Sequence, residues 1–346
     1  MIHKEEWPKV SIIVVNYNGL SSLGGLLGEC LKSLLSTDYP NFEVIFVDNA
    51  SLDGSADYVK QSFNDHRIRI LRLNKNYMYA GGLNKGIEVA DKTSKYLVFM
   101  NNDVVVCPNW LKELVKVMEQ DEKIGIASPK VLNFDGSLQL EDLLIDRFLF
   151  SYAIKIPVNK VFLVSRPHGP AYVIRKSLIK GRGLFDKKLV IYREEAYVGH
   201  VTWMKGFKVV YVPTAVIYHR LSATINKYSL PTFRFHLYKN DLYLLLKFGS
   251  VYSILCGFFL RLMRLPILAV GCAIKLKGAE PIIDYFLGYT IAFYWLVKNN
   301  KFIIRYKGKP MFYLPSKYSL LRTVYPSLCE RLLLKFLRNV VDTQQI

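Results

Sequence analysis

VSIIVVNYNG, residues 10–19, decides how the first half of this chain is read. Val10–Val15 is a short run dominated by β-branched residues. It is too short for a helix and lacks polar alternation, which marks a strand buried on both faces. Asn16, Asn18 and Gly19 then supply turn chemistry. The pattern recurs along the chain. Phe42–Val47 leads into Asp48-Asn49-Ala50-Ser51-Leu52-Asp53-Gly54-Ser55, and Ile68–Leu73 leads into Asn74-Lys75-Asn76 and then Ala80-Gly81-Gly82-Leu83-Asn84. Tyr96–Met100 leads into Asn101-Asn102-Asp103. Helical spacing fills the gaps at Leu20–Leu35, Asp53–Phe63 and Gly81–Ala90, and Trp110–Met118 precedes a fifth strand at Ile124–Ala127. This alternation predicts an α/β fold, a mostly parallel sheet sandwiched by helices. Ligands in such sheets bind beyond the carboxyl ends of the strands. One polar strand end is ordinary turn chemistry, whereas four in succession describe a lined cleft.

Composition narrows the class. The 346 residues are 51% hydrophobic and carry a formal charge of +19. A balance this basic favours a polyanionic neighbour: nucleic acid, an anionic membrane face or a phosphorylated substrate. No zinc-finger spacing, basic-leucine pattern or aromatic RNA-binding strand is present, which argues against nucleic acid. Mean hydropathy is slightly positive at +0.16, so an apolar surplus sits somewhere specific. Cys30, Cys107, Cys256, Cys272 and Cys329 are scattered and odd in number, as expected of buried thiols in a reducing compartment. Residues 1–9 are charged and do not read as a signal peptide.

After an irregular middle, Pro129 to Pro167, the pattern predicts a strand at His168–Ile174 and a helix at Arg193–Lys205 carrying Glu194 and Glu195. Short strands are expected at Lys208–Val212 and Ala215–His219. Composition shifts near Leu230. Residues 230–346 hold 17 Lys and Arg against 5 Asp and Glu, so most of the excess charge lies there. They also hold the apolar runs Val251–Leu260, Leu265–Ile274 and Tyr285–Val297, with Arg261 and Arg264 interrupting the longer stretch. The longest run would span roughly 20 Å as a helix, short of a ~30 Å hydrocarbon core. We therefore expect interfacial or re-entrant helices whose flanking cations meet lipid phosphates; a buried helical core is the alternative. This gives a catalytic domain at 1–229 and a helical, basic, membrane-associated region at 230–346.

The ordered set VSIIVVNYNG, DNASLDGS, NKNYMYAGGLNKG, FMNNDVVV, HGPAYVIRKSLIKGRGLFD, REEAY, KGFKVVYVP and VIYH resembles family 2 glycosyltransferases of the GT-A fold, in their rhamnosyltransferase-like branch. Each motif alone is weak; their order over roughly residues 8 to 225 is strong. The remainder matches only through Tyr238-Lys239-Asn240 and the basic apolar helices.

The resemblance implies a nucleotide-diphospho-sugar donor and assigns roles. Asp48 would accept the N–H that a pyrimidine presents between two carbonyls, with Asn49 and Ser51 supporting the turn; capping of the next helix is the plainer role for Asp48 and Asp53. Asn16, Asn18, Asn76 and Asn102 would line the donor. Ala80-Gly81 opens a helix where small residues and the helix N-terminus suit a diphosphate, and Asn84 could bond ribose or phosphate. Asn101-Asn102-Asp103 stands where the family carries its Asp-x-Asp metal motif. Asp103 would hold Mg²⁺ or Mn²⁺, His219 would complete the shell, and Asn101 would contact donor or metal-bound water. Glu194-Glu195 matches the family's Glu-Asp pair, making Glu195 the expected base for an inverting transfer and Glu194 the second acid. Tyr197, Val201 and Pro170 depart from the family, which usually has Asp, Arg and a small residue there. The implied partners are a UDP- or dTDP-sugar, a glycan or lipid-linked acceptor, and an anionic membrane surface on the cytoplasmic side. Three other readings stand beside this one. A nucleotidyltransferase would want a basic Gly-rich loop after the first strand. A non-catalytic membrane scaffold would keep a degenerate site. A polyprenyl- or dolichyl-phosphate sugar synthase would need no strong base.

Overall fold

The structure is a computed structural model that describes residues 7–139, 143–152, 160–179, 181, 183–220, 230–274 and 280–298. The chain divides into two compact units. The first comprises Met1–Glu141 and Lys155–Lys227, the second Asp142–Ile154 and Tyr228–Ile346. The second unit thus recruits a short stretch from the middle of the chain, which no composition shift announces.

In the first unit, β1 (Val10–Asn16), β2 (Phe42–Asp48), β3 (Ile68–Arg72) and β4 (Tyr96–Asn101) form a parallel block in the order β3-β2-β1-β4. Crossovers through α1 (Gly19–Leu23), α2 (Gly25–Leu35), α3 (Ser55–Ser62) and α4 (Met78–Val89) keep them parallel. The sheet continues through β10 (Ala171–Arg175), β6 (Ile124–Leu132), β11 (Lys208–His219) and β5 (Val104–Val106). There β10 runs antiparallel to β4 and β6, and β11 runs parallel to β6. The short strand β9 (Phe162–Leu163) pairs with β11. Every residue of β1 and β2 is buried, as expected for strands covered on both faces. One face packs on α2 and on α5 (Trp110–Gln120), whose Trp110, Leu111, Leu114, Val115 and Met118 form a single apolar stripe. On α4, Gly86 is obligatory, since a Cβ there would lie 2.4 Å from Ile13 Cγ2.

Four local expectations differ from the structure. The helix expected over Leu20–Leu35 is broken at Gly24, whose φ is +58°. The helix expected from Gly81 starts one turn earlier, at Met78, so Ala80 and Gly81 lie in its first turn. The strand expected over His168–Ile174 runs from Ala171 to Arg175 instead. The two short strands expected around Pro213 are one strand, β11; an irregularity between Val212 and Val216 absorbs the missing N–H of Pro213.

The second unit holds α7 (Leu230–Phe248), α8 (Val251–Ile274) and α9 (Glu280–Lys298), with a small hairpin of β7 (Leu144–Ile145) and β8 (Ser151–Tyr152). Asp146 organises the hairpin by accepting the backbone N–H groups of Phe148 and Phe150 and, at 2.6 Å, the Tyr152 hydroxyl. Arg261 corrects an expectation. It does not interrupt an apolar helix as a surface cation but is only 4% exposed. Its guanidinium donates to the carbonyls of Phe148 and Gly257 and lies 4.4 Å from the Phe150 ring centroid. Planar donors met by carbonyls and an aromatic face let Arg, unlike Lys, be buried this way. No described helix is long and apolar enough to cross a membrane.

Candidate active site

The site lies at the carboxyl ends of β1, β2 and β4, entirely within the first unit. Asn16 and Asp48 are direct neighbours in the β1–β2 register, so the polar strand ends meet side by side. A polar ladder fixes the two loops that follow. Asn16 Nδ2 donates to Ser51 Oγ, the Asn18 N–H donates to the same oxygen at 2.9 Å, and Asn18 Oδ1 accepts the Leu52 N–H at 2.8 Å. Asn102 Nδ2 donates to Asn16 Oδ1 at 2.7 Å, tying β4 into the ladder. Asn18 takes a left-handed conformation (φ 51°), which asparagine tolerates, and a Cβ at Gly19 would strike Asn16 Oδ1. Asn49 holds the next loop by donating to Asn76 Oδ1 at 2.9 Å and accepting the Tyr77 N–H. Asp53 accepts the Ser21 N–H and the Ser55 hydroxyl; although burial opposes it, these bonds hold its carboxyl below the usual range.

Against this saturated ladder Asp48 stands out. It is buried, and its Oδ1 has no hydrogen-bond partner among the described residues. An unmet buried acceptor costs roughly 1–3 kcal/mol, a cost that a ligand N–H would remove.

A second group gathers beside the first. Asp103 directly precedes β5 and His219 ends β11, and the β5–β11 pairing brings them together. His219 Nε2 lies 3.3 Å from Asp103 Oδ1, which is buried and makes no hydrogen bond. His219 Nδ1 lies 2.7 Å from Gln139 Oε1 and, facing an acceptor, must carry the ring proton. In its neutral form the ring would turn an Nε2 lone pair toward Asp103; as an imidazolium it would be the ion-pair partner of that carboxylate. The two atoms have roughly the spacing of neighbouring ligands on one octahedral cation, about 3 Å apart for bonds of ~2.1 Å. The pair therefore fits a divalent ion. Among the described residues no third His, Cys, Asp or Glu joins it, so other ligands would come from substrate or water.

Glu194 and Glu195 occupy the first turn of α6 (Glu194–Met204), where the helix dipole favours carboxylates. The approach is strained: Val190, Tyr192 and Arg193 all have positive φ, between 64° and 69°. Such conformations cost roughly 1 kcal/mol or more each and cluster at functional sites. Glu195 is ion-paired with the buried guanidinium of Arg166. Tyr79 donates to Asn101 Oδ1 at 2.7 Å. Burial, then the charges of Glu194, Asp103 and Glu195, push the Tyr79 phenol far above its ordinary value. Tyr172 is raised by burial, then by Tyr79 and both glutamates. His168, its backbone N–H on Ser128 Oγ at 2.7 Å, is held well below its ordinary value by burial, Arg166 and His219.

Of the expected residues, Asn16, Asn18, Asn49, Ser51, Asn76 and Asn102 share the loop ladder, with Asp48 beside Asn16; Asp103 lies against His219, and Asn101, Asp103, Glu194 and Glu195 all act on Tyr79, Asn101 by a hydrogen bond and the acids by charge. Ala80 and Gly81 are buried in α4, and a Cβ at Gly81 would lie 2.8 Å from Tyr77 Cβ, so packing also demands a small residue there. The Asn84 amide faces protein: it donates to Phe185 O and accepts the N–H groups of Leu184 and Phe185. Tyr197 and Val201 are buried within α6, and the Pro170 carbonyl accepts the Asn101 N–H at 2.9 Å. The motifs do not single out Tyr79, Arg166 or Gln139. Tyr79 adjoins the Ala80-Gly81 motif and Arg166 precedes His168 by two positions, but nothing local marks Gln139.

A parallel β3-β2-β1-β4 block with polar strand ends, continued by a mixed sheet, is the GT-A fold. Solved structures share the fold. GalNAc-T7 with UDP, GalNAc and Mn²⁺ superposes with a TM-score of 0.57 at 17% identity, covering 72% of this chain and 50% of that one. The mannosyltransferase PcManGT from Pyrobaculum calidifontis, in complex with GDP-Man and Mn²⁺, superposes with a TM-score of 0.53 at 16% identity, covering 87% and 88%. In sequence, residues 11–180 match the glycosyl transferase family 2 profile, and this segment belongs to that family. Its relatives include the O-antigen biosynthesis protein RfbC of Myxococcus xanthus, 26% identical over 65% of this chain and 18% of RfbC. Glycosyltransferase GlyG of Streptococcus pneumoniae is 31% identical over 37% of this chain and 40% of GlyG. The chain thus spans well under half the length of either relative.

Proposed function

We propose that this chain is an inverting, metal-dependent glycosyltransferase that moves a sugar from a UDP- or dTDP-sugar to a hydroxyl of a glycan or lipid-linked acceptor. The observation that carries this reading is the Asp103–His219 pair, whose Oδ1 and Nε2 lie 3.3 Å apart, with Asp103, Glu194 and Glu195 all near enough to Tyr79 for their charges to act on its phenol. The mannosyltransferase and GalNAc-T7 structures with Mn²⁺ support a divalent ion. O-antigen biosynthesis by RfbC, and a poly-β-1,6-N-acetyl-D-glucosamine synthase 22% identical over 62% of this chain, support a role in surface polysaccharide or glycoconjugate assembly.

The residues divide the work. Asp48 accepts the pyrimidine N–H, and the Asn16–Asn18–Ser51 and Asn49–Asn76 bonds hold the loops around it. Asp103 and His219 would hold Mg²⁺ or Mn²⁺, which neutralises the charge left on the departing nucleotide diphosphate. Glu195 takes the proton of the acceptor hydroxyl as that oxygen attacks the anomeric carbon and the bond to the diphosphate breaks on the opposite face. Glu194, one position earlier on α6, is the second acid. Arg166 fixes Glu195 before substrate arrives. The basic second unit docks the enzyme on the cytoplasmic face of a membrane, near a lipid-linked acceptor.

Calorimetric titration of the purified chain with UDP, dTDP and GDP, with and without Mn²⁺, tests the donor reading. Metal-dependent binding of a pyrimidine diphosphate is expected, with GDP much weaker. Absence of binding by all three with Mn²⁺ present would overturn it and favour a degenerate scaffold.

A further inference from the structure

Gln139 belongs to no motif of this sequence and sits at the end of a turn between β6 and the irregular middle of the chain. It is almost fully buried. Its backbone N–H donates to Val131 O at 3.0 Å, and a bridge between Leu132 and Leu138 closes the turn. Its side chain uses both ends of its amide. Nε2 donates to Asn133 Oδ1 at 2.9 Å and to the carbonyl of His219 at 3.2 Å. Because both partners are acceptors, the amide orientation is settled and Oε1 must face the histidine. Oε1 lies 2.7 Å from His219 Nδ1. One glutamine therefore grips His219 twice, by backbone and by ring.

We infer that Gln139 is a positioning residue for divalent-cation binding: it fixes the tautomer and plane of His219 so that the Nε2 lone pair meets the cation beside Asp103. This deepens the metal-dependent reading and rests on it. The physical case is one of chemical necessity. A neutral imidazole coordinates only through its unprotonated nitrogen. Without an acceptor at Nδ1 the ring can place its proton on Nε2, where Asp103 Oδ1 at 3.3 Å would attract it. The ring would then hydrogen-bond the carboxylate instead of sharing a cation with it. Oε1 of Gln139 weighs against that state, and the second bond, to the His219 carbonyl, anchors the Gln139 amide to the strand that carries the ring. Partners of this kind on metal-bound histidines typically change metal affinity 10- to 100-fold.

Two variants separate positioning from support of the fold. Gln139→Met keeps the volume and removes both hydrogen-bonding ends. Gln139→Glu keeps an acceptor for Nδ1–H but sets a carboxylate oxygen against the His219 carbonyl, so it loses stability. Titration of Mn²⁺ into each protein in the presence of UDP, with a thermal unfolding curve for each, gives the readouts. Gln139→Met should bind Mn²⁺ roughly 10- to 100-fold more weakly. Gln139→Glu should bind within a few-fold of the unmodified chain despite a melting temperature lowered at least as far. Wild-type Mn²⁺ affinity in Gln139→Met would overturn the inference, as would parallel losses of affinity and stability in both variants. If the unmodified chain itself binds UDP but no Mn²⁺, the metal reading fails and this inference with it. UDP binding that tightens with Mn²⁺ in the unmodified chain, lost in neither variant, sinks the role of Gln139 alone.

Discussion

At the residue scale, the proposed function divides binding from chemistry, and substitutions should divide the same way. Glu195→Gln keeps the size of the side chain and its contact with Arg166 but removes the capacity to take a proton. Turnover should fall roughly 100- to 10,000-fold while donor affinity stays close to that of the unmodified enzyme. Initial rates beside a UDP titration check this. Near-normal turnover in that variant would mean that the acceptor needs no base, as a lipid phosphate would not. Asp48→Ala should do the reverse. Losing a charged hydrogen-bond acceptor of the base weakens UDP binding roughly 10- to 100-fold, and the residual turnover at saturating donor should change little. Equal UDP affinity in Asp48→Ala would return Asp48 to the role of a helix cap. The positions of Asp48, Asp103 and the two glutamates were legible because each follows an apolar strand or opens a helix. Arg166 and Gln139 were not legible. Their importance comes from partners 29 and 80 positions away in the chain, and no local pattern encodes such a distance.

At the scale of elements, α6 joins site and stability. His200 lies one turn beyond Ala196, fully enclosed, with Nδ1 2.8 Å from the Ala196 carbonyl. Burial pushes its pKa down to about 4; the bond to Ala196 opposes this and the Arg166 charge adds to it. Unfolded, the ring titrates near 6.5. Between those values the unfolded chain binds more protons, so this stabilisation is complete above pH ~6.5 and is lost as pH falls toward 4. Acidification from pH 7.5 to 5 should remove roughly 2 kcal/mol through His200 alone. His200→Gln should shrink the difference between urea unfolding curves at the two pH values by about that amount. An unchanged difference would show that the imidazole becomes charged without cost in the folded chain. Some pH dependence should persist through His168, which is depressed the same way. The elements also show where local reading stops. The parallel strands are continuous apolar runs bounded by turn residues, so β1, β2 and β4 were readable almost to the residue. The strand β5 was missed because Val104–Val106 reads as the tail of Asn101-Asn102-Asp103, and only its pairing with β11 makes it a strand. Pro213 argued for a break that the irregularity in β11 accommodates, and the hairpin at 144–152 was missed because its partners lie a hundred residues later.

At the scale of the whole molecule, the apolar surplus and the basic charge share one location, and the second unit shows what form they take. On α8, Val251, Tyr252, Leu255, Phe259, Leu262 and Met263 are each 47–66% exposed and lie within one side of the helix. On α9, Ile283, Phe286, Leu287, Ile291, Phe293 and Tyr294 are 48–63% exposed and again form one stripe, ending at Lys298. The buried faces of α8 and α9 hold Ser253, Leu260, Arg261 and Tyr285. Exposed faces carrying this many large apolar side chains mark interaction sites. Residues 230–346 supply 17 Lys and Arg against 5 Asp and Glu, and each cation near an anionic surface contributes about 1 kcal/mol. Helices that are not long and apolar enough to cross but are apolar on one side, in a basic setting, suit the interfacial layer of an anionic bilayer. The full chain should therefore sediment with vesicles containing phosphatidylglycerol and much less with pure phosphatidylcholine. Raising the salt to roughly 0.5 M should weaken the binding, because it shortens the reach of the charges to a few ångströms, but should not abolish it, because the apolar stripes remain. The pair Leu255→Glu and Leu262→Glu, both on the exposed side of α8, should cut sedimentation at either salt concentration while leaving UDP binding by the first unit unchanged. Failure of the unmodified chain to bind anionic vesicles would sink the membrane reading. If light scattering then showed a dimer that dissociates on the same two substitutions, the stripes would be an interface between copies of this chain.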